Sequence, residues 1–400
     1  LPQPGSESQR LALCGALLAV PLALNRPLWE LTFVDGLKSG RIALIEKLHH
    51  SMADGFAAAE SATVLLDLSP EPRSVDETSP WRVDNSPRAC LGVASDLLRL
   101  AEIPLRAFAW GGWTALHPVR RSRAWVAKTA AVASMLRAGL IAPRSSLNAR
   151  TGPGRELHIV RLNLDEIREI AHANKATVND VVLTLVCQGL HTLMTKDGGL
   201  DSGAEVQALV PVGLGAGPGR GLGNRVSALF VRLPVGSSDP AANLSAIASV
   251  SKAHKKEHQD LAGAAMLRLL EPAPQSLLGL LAKLMQYQPF FNVIVTNVPG
   301  PSVPLYALGA QMVEAFPVVP LVGNQGIGVA ALSYLDQMNL GILSDPTICP
   351  DVELFCQGVR AASANLRNCR NLDGMGRPRS ASALDAAGPA RTRPERDVGP

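Results

Sequence analysis

The chain has 400 residues, of which 47% are hydrophobic and 18% charged, and its formal net charge is +4. That length and apolar content fit a soluble globular protein with enough buried surface for two domains. The weak net charge, the 4% of aromatic residues and the lack of a basic stripe interleaved with aromatics argue against a nucleic-acid surface. The six cysteines (Cys14, Cys90, Cys187, Cys349, Cys356, Cys369) are scattered, with no C-x-x-C pair. A structural zinc site is therefore not expected, and a reduced cytoplasmic setting is the simpler reading.

Residues 1–25 are ambiguous. The apolar run Leu11 to Leu24 is too short to span a bilayer and contains Pro21. It reads as a core helix or strand, although Arg10 before it also gives it the look of a signal-peptide core. Residues 26–70 read as strand, turn, strand and helix. Arg41 to Leu48 is expected as a buried strand and Phe56 to Leu68 as a helix. Residues 69–90 are polar and Pro-rich, a surface loop. Residues 90–143 carry helical stretches broken by Pro104 and Pro118, and Arg120, Arg121 and Arg123 form a small basic cluster that reads as a solvated face, with a phosphate or membrane-surface contact as the alternative.

The stretch 144–156 reads as a linker. After it come a strand (Leu157 to Leu162), an amphipathic helix (Asp165 to Asn174) and a longer helix near Val178 to Lys196 with Thr177 as its N-cap. Strands follow at Val206–Val210, Val226–Leu233 and Asn292–Thr296. Residues 324–344 read as two strands joined at Asp336-Gln337, and Asp351 to Leu366 as a helix. From about residue 370 the chain lacks periodicity, and a disordered tail is expected over 369–400. The organisation is thus a segment 1–25, a first half 26–143, a linker 144–156, a second half 157–368 and the tail. The fold class is mixed α/β (α+β) in two halves, with a cleft between them.

The chemistry concentrates in His49-His50-Ser51-Met52-Ala53-Asp54-Gly55, placed on a strand-to-helix turn. Imidazole is the side chain suited to moving a proton near neutral pH, and His50 is a candidate general base, a role worth roughly 10²–10⁴-fold in rate. No G-x-S-x-G serine motif is present, so direct attack by an activated hydroxyl or thiol is more economical than an acyl-enzyme. His49 reads as packing and hydrogen-bonding support. Asp54 reads as an N-cap or the partner of a buried arginine, with direct orientation of His50 as the alternative, and Gly55 permits a tight backbone path. His49, His50 and Asp54 could all ligate a metal. However, sequence neighbours point in different directions and H-E-x-x-H spacing is absent, so no metal is expected. Asn179 and Asp180 fall in the first turn after Thr177. There the Asn179 carboxamide could donate to a developing oxyanion, or both residues could simply cap the helix.

Several segments in order carry a resemblance: Pro27-Leu28-Trp29-Glu30, the histidine motif, Asn179-Asp180, Gly223-Asn224-Arg225-Val226-Ser227 leading to Leu233-Pro234, and Thr296-Asn297-Val298-Pro299-Gly300-Pro301. Together, over residues 21–368, the chain resembles the bacterial wax ester synthase/diacylglycerol acyltransferases. The resemblance implies a two-domain fold like that of chloramphenicol acetyltransferase, with a tunnel between the domains. It implies transfer of an acyl group from a long-chain acyl-CoA, the co-substrate, to diacylglycerol or a fatty alcohol, with no cofactor. It makes His50 the base, Asp54 mainly structural, and Asn179 and Asp180 organisers of the site. The segment before Pro27 is shorter than is usual in that family, so a truncated, lipid-binding remnant is one alternative reading. A condensation-type acyltransferase of the same fold is another. Lipid substrates imply peripheral contact with a membrane or lipid droplet.

Overall fold

The computed structural model describes residues 1–38, 40–49, 65–71, 141–196, 198, 200–213, 226–256 and 287–374. His50, Asp54, Gly55, the helical stretches of 90–143 and the tail beyond residue 374 lie outside the described residues.

The run at the start of the chain is helical. Helix α1 spans Glu7–Ala19 and starts in a capping box: the Ser6 hydroxyl accepts from Gln9 N, while the Gln9 side chain accepts from Ser6 N. It stops before Pro21, which cannot continue a helix. Strands β1 (Trp29–Val34) and β2 (Ala43–Leu48) pair antiparallel as a two-stranded ribbon. The Lys47 ammonium donates to Leu17 O and Val20 O, binding β2 to the C-terminal end of α1. The expectation of a buried strand at Arg41–Leu48 needs correction. Among the described residues no further strand pairs with this ribbon, and Trp29, Phe33 and Leu44 on one of its faces are all exposed.

Among the described residues, the second half is built on a six-stranded mixed sheet in the order β3-β10-β9-β6-β4-β5. These strands are β3 (Glu156–Asn163), β4 (Val206–Gly213), β5 (Val226–Leu233), β6 (Val293–Val298), β9 (Ile327–Tyr334) and β10 (Gln337–Ser344). The short strands β7 (Tyr306–Ala307) and β8 (Ala310–Gln311) pair outside it, and Asp67 bridges to Tyr306. That bridge shows extended pairing at Asp67, where the sequence reading carried a helix on to Leu68. The β9–β10 hairpin turns at Leu335-Asp336, and Leu335 adopts φ 54°.

Helices α2 (Leu164–Ala173), α3 (Val178–Met194) and α5 (Val352–Gly374) contribute to the main hydrophobic core together with the central strands. Helix α4 (Pro240–Lys256) adds Leu244 and Ile247. Helix α5 runs past the predicted end at Leu366 to Gly374, into the stretch read as tail. Central α3 is buried from Asp180 through Leu190, and glycines let α5 lie close against it. A Cβ on Gly189 would stand 2.7 Å from the Phe355 ring. The stretch 144–156, read as a linker, is bonded to the second half. Leu147 is in the core, the Asn148 amide donates to Phe291 O, and Gly152 N and Arg155 both donate to the buried Asp345 carboxylate.

Candidate active site

Thr177 takes an extended conformation (φ −97°, ψ 161°), and its hydroxyl accepts from Asp180 N at 3.2 Å. The Asp180 carboxylate answers: its Oδ2 accepts from Thr177 N and from Thr177 Oγ1, both at 2.8 Å. This reciprocal capping satisfies donors that a helix start would otherwise leave open, and it puts a negative charge at the positive end of the helix dipole. Asp180 is 2% exposed, and its Oδ1 has no hydrogen-bond partner among the described residues. The Thr184 hydroxyl donates back to Asp180 O, fixing the next turn.

Asn179 occupies the second position of the same turn and is half-buried. Its carboxamide makes no hydrogen bond among the described residues, while Thr177 N, the Thr177 hydroxyl and Asp180 Oδ2 beside it are all engaged. A donor group held on a rigid, buried helix and left unengaged among the described residues suits the binding of a developing negative charge. Asp180 therefore performs the capping role that the sequence left open for both residues, and Asn179 does not share it.

His49 stands just beyond the end of β2, half-buried, with its backbone N–H donating to Leu28 O at 2.9 Å. That bond ties the start of the histidine motif to the Pro27-Leu28-Trp29 segment. His50, Asp54 and Gly55, which follow directly, lie outside the described residues. The structure thus brings Asn179 and Asp180 together on α3 and places His49 at the mouth of the first ribbon.

The Thr296–Pro301 segment ends β6 and leads out of the sheet. Gly300 N donates to the Ser333 hydroxyl at 3.0 Å, and a Cβ on Gly300 would collide with Ser333 O. The glycine is required there by the close approach of β9, which gives this segment a structural role.

One group of chemically active side chains escaped the sequence reading. His158 on β3 meets Glu353 and Cys356 on α5, and their donor atoms all lie within 4.8 Å of one another. The Glu353-x-x-Cys356 spacing puts two donors on one helix face. The third comes from a strand far earlier in the chain, so no spacing rule could have joined it to them.

Residues 1–182 match the family model of the wax ester synthase/diacylglycerol acyltransferase catalytic domain, and residues 222–367 match the model of the C-terminal domain of the same proteins. A Mycobacterium tuberculosis protein provisionally named a diacylglycerol O-acyltransferase is 30% identical over 381 residues, a match covering 92% of this chain and 77% of that protein. The chain belongs to the wax ester synthase/diacylglycerol acyltransferase family. It is an acyltransferase.

A second M. tuberculosis relative, also provisionally named a diacylglycerol O-acyltransferase, is 29% identical over 377 residues, covering 92% of this chain and 73% of the relative. Among solved structures, the wax ester synthase/diacylglycerol acyltransferase of Marinobacter aquaeolei superposes with a TM-score of 0.61 at 24% identity, covering 93% of this chain and 78% of that one. The mixed α/β architecture is that of the chloramphenicol acetyltransferase-like fold. The catalytic-domain match begins at residue 1, so the segment 1–25, set apart on sequence, falls inside it. No helix among the described residues is long and apolar enough to cross a membrane.

Proposed function

We propose that this acyltransferase makes triacylglycerol, moving a long-chain acyl group from acyl-CoA to the free hydroxyl of diacylglycerol, and that it also accepts long-chain alcohols to give wax esters. His50 removes the hydroxyl proton. The oxygen attacks the thioester carbonyl, and the tetrahedral intermediate collapses with cleavage of the C–S bond. The imidazolium returns the proton to the departing thiolate, so CoA leaves as the thiol. Asn179 donates its side-chain N–H to the oxyanion. Asp180 holds Asn179 in place through the cap, while His49, Asp54 and Gly55 shape the turn that presents His50. A tunnel between the two halves admits the two substrates. No cofactor takes part, and the enzyme works in the cytoplasm in peripheral contact with a membrane or lipid-droplet surface.

The observation that carries this reading is the unbroken His49-His50-Ser51-Met52-Ala53-Asp54-Gly55 motif within a match to the family's catalytic domain. The test is transfer of radiolabelled palmitate from palmitoyl-CoA to diacylglycerol and, in parallel, to hexadecanol, with His50→Ala alongside and folding followed by circular dichroism. The expected outcome is labelled triacylglycerol from the wild type and a loss of roughly 10²–10⁴-fold in the variant. Full activity in folded His50→Ala would refute the base assignment. Transfer to hexadecanol alone would refute diacylglycerol as the acceptor.

A further inference from the structure

The edge strand β3 presents His158 toward the first turns of α5, where Glu353 and Cys356 lie one turn apart. The two imidazole nitrogens face two different carboxylates. Nδ1 lies 3.8 Å from Glu353 Oε2, and Nε2 lies 3.8 Å from Glu156 Oε2. Neither distance is a hydrogen bond. The other Glu353 oxygen, Oε1, accepts from Arg360 at 2.8 Å, which steadies the carboxylate and leaves Oε2 turned to the histidine. Cys356 Sγ closes the group from the buried side, while Glu353 and Glu156 reach solvent. Two carboxylates and a thiol thus surround one half-buried imidazole, with Arg360 the one cation paired to them among the described ion pairs.

We propose that His158, Glu353 and Cys356 form a binding site for a zinc-class divalent cation, separate from the acyl-transfer site. The donor set of imidazole, thiolate and carboxylate selects a borderline-soft ion and not magnesium or calcium. Tetrahedral coordination at zinc bond lengths places ligand atoms about 3.4 Å apart, so the present spacing closes by up to about 1.4 Å, a movement within side-chain reach. Nδ1 is the ligating nitrogen, since it faces Glu353. That leaves the Nε2 proton to Glu156, the carboxylate–histidine–metal arrangement that fixes ring orientation and tautomer. A solvent water completes the fourth position. On binding, the Cys356 S–H bond breaks, the sulfur bonds to the metal and the proton passes to water. Burial and the neighbouring Glu353 push the free thiol up to about 12, so the thiolate forms only with the metal. The ion would cross-link the edge of the sheet to α5, the helix packed against α3, which carries Asn179.

The experiment is titration of chelator-stripped full-length protein with cobalt(II), a spectroscopic stand-in for zinc, followed by displacement with zinc. One equivalent is expected to raise a near-ultraviolet thiolate-to-cobalt charge-transfer band that zinc abolishes. Cys356→Ser should remove the band. His158→Gln, at a half-exposed position that folding tolerates, should weaken binding more than about 100-fold, and Glu156→Gln about 10-fold. His50→Ala should bind as wild type, which separates this site from the histidine motif. No band in the wild type would overturn the proposal. So would a band that persists in Cys356→Ser, or unchanged affinity in folded His158→Gln.

Discussion

Removal of Asp345 should cost this fold heavily. The residue is fully buried at the end of β10, and its carboxylate accepts four hydrogen bonds. Oδ2 takes Gly152 N at 2.6 Å and Arg155 Nη1 at 3.3 Å; Oδ1 takes Thr347 N at 2.9 Å and Thr347 Oγ1 at 2.5 Å. Breaking one side of a buried ion pair costs about 3–5 kcal/mol, because the partner keeps its desolvation penalty without its compensation. Here Arg155 retains bonds to Gly152 O and Gly154 O, and its side chain is 18% exposed, which moves the figure toward the lower end. The orphaned Gly152 and Thr347 amides add about 1 kcal/mol or more. Asp345→Ala should therefore destabilise the protein by about 4 kcal/mol, and Asp345→Asn by about 2–3 kcal/mol, because the amide keeps one acceptor but turns an NH2 toward donors. Urea unfolding followed by far-ultraviolet circular dichroism measures both. If both variants unfold within about 0.5 kcal/mol of wild type, this carboxylate does not hold 144–156 against the sheet, and the reasoning fails.

Three further outcomes follow from the same kind of argument. Thr177→Ala removes half of the α3 cap and should cost about 1 kcal/mol in a urea melt; it should also lower acyl transfer through Asn179, and unchanged turnover would separate the cap from the chemistry. Gly189→Ala puts a methyl 2.7 Å from the Phe355 ring and 2.9 Å from Val359 Cγ2, and should lower stability by about 1–3 kcal/mol; a neutral result would mean that α5 moves away freely. The Arg161 guanidinium, hydrogen-bonded to Glu7, holds the Glu7 carboxyl below its ordinary value of 4.5. A depressed folded value stabilises the docking of α1 above the unfolded value and loses that contribution as pH falls through the folded one. The opening free energy of α1, read from hydrogen exchange after correction for the intrinsic pH dependence of the exchange rate, should be flat from pH 7 to about 5 and fall below about 4.5, whereas Glu7→Gln should show no such step. An identical acid step in Glu7→Gln would assign it to another group.

How much could be read without the fold varied with the range of the interactions involved. Thr177 and Asp180 lie three residues apart, and their reciprocal capping is a local hydrogen-bond pattern, so the start of α3 was legible from residue types alone. The β5 boundaries at Val226 and Leu233 were equally plain, because an apolar run is written in neighbouring residues, and the β9–β10 hairpin was legible with its turn placed one residue late, at Asp336-Gln337 instead of Leu335-Asp336. The family and its acyl-transfer chemistry were also legible, since the histidine motif and the segments around it are contiguous strings. Other features depended on chain closure over tens to hundreds of residues. The strand order, with β6 parallel to both β4 and β9, is one of these. The exposure of the Trp29–Phe33 face is another, because an apolar strand is buried only if something covers it. Asn148 and Asp345 tie the stretch 144–156 to the second half through bonds to Phe291 and Arg155, residues that no local pattern pairs with them. The meeting of His158 with Glu353 and Cys356 is of the same kind. Periodicity and capping act within a few residues and leave their mark in the sequence, whereas the selection of partners across the sheet is made by the packing of the whole core.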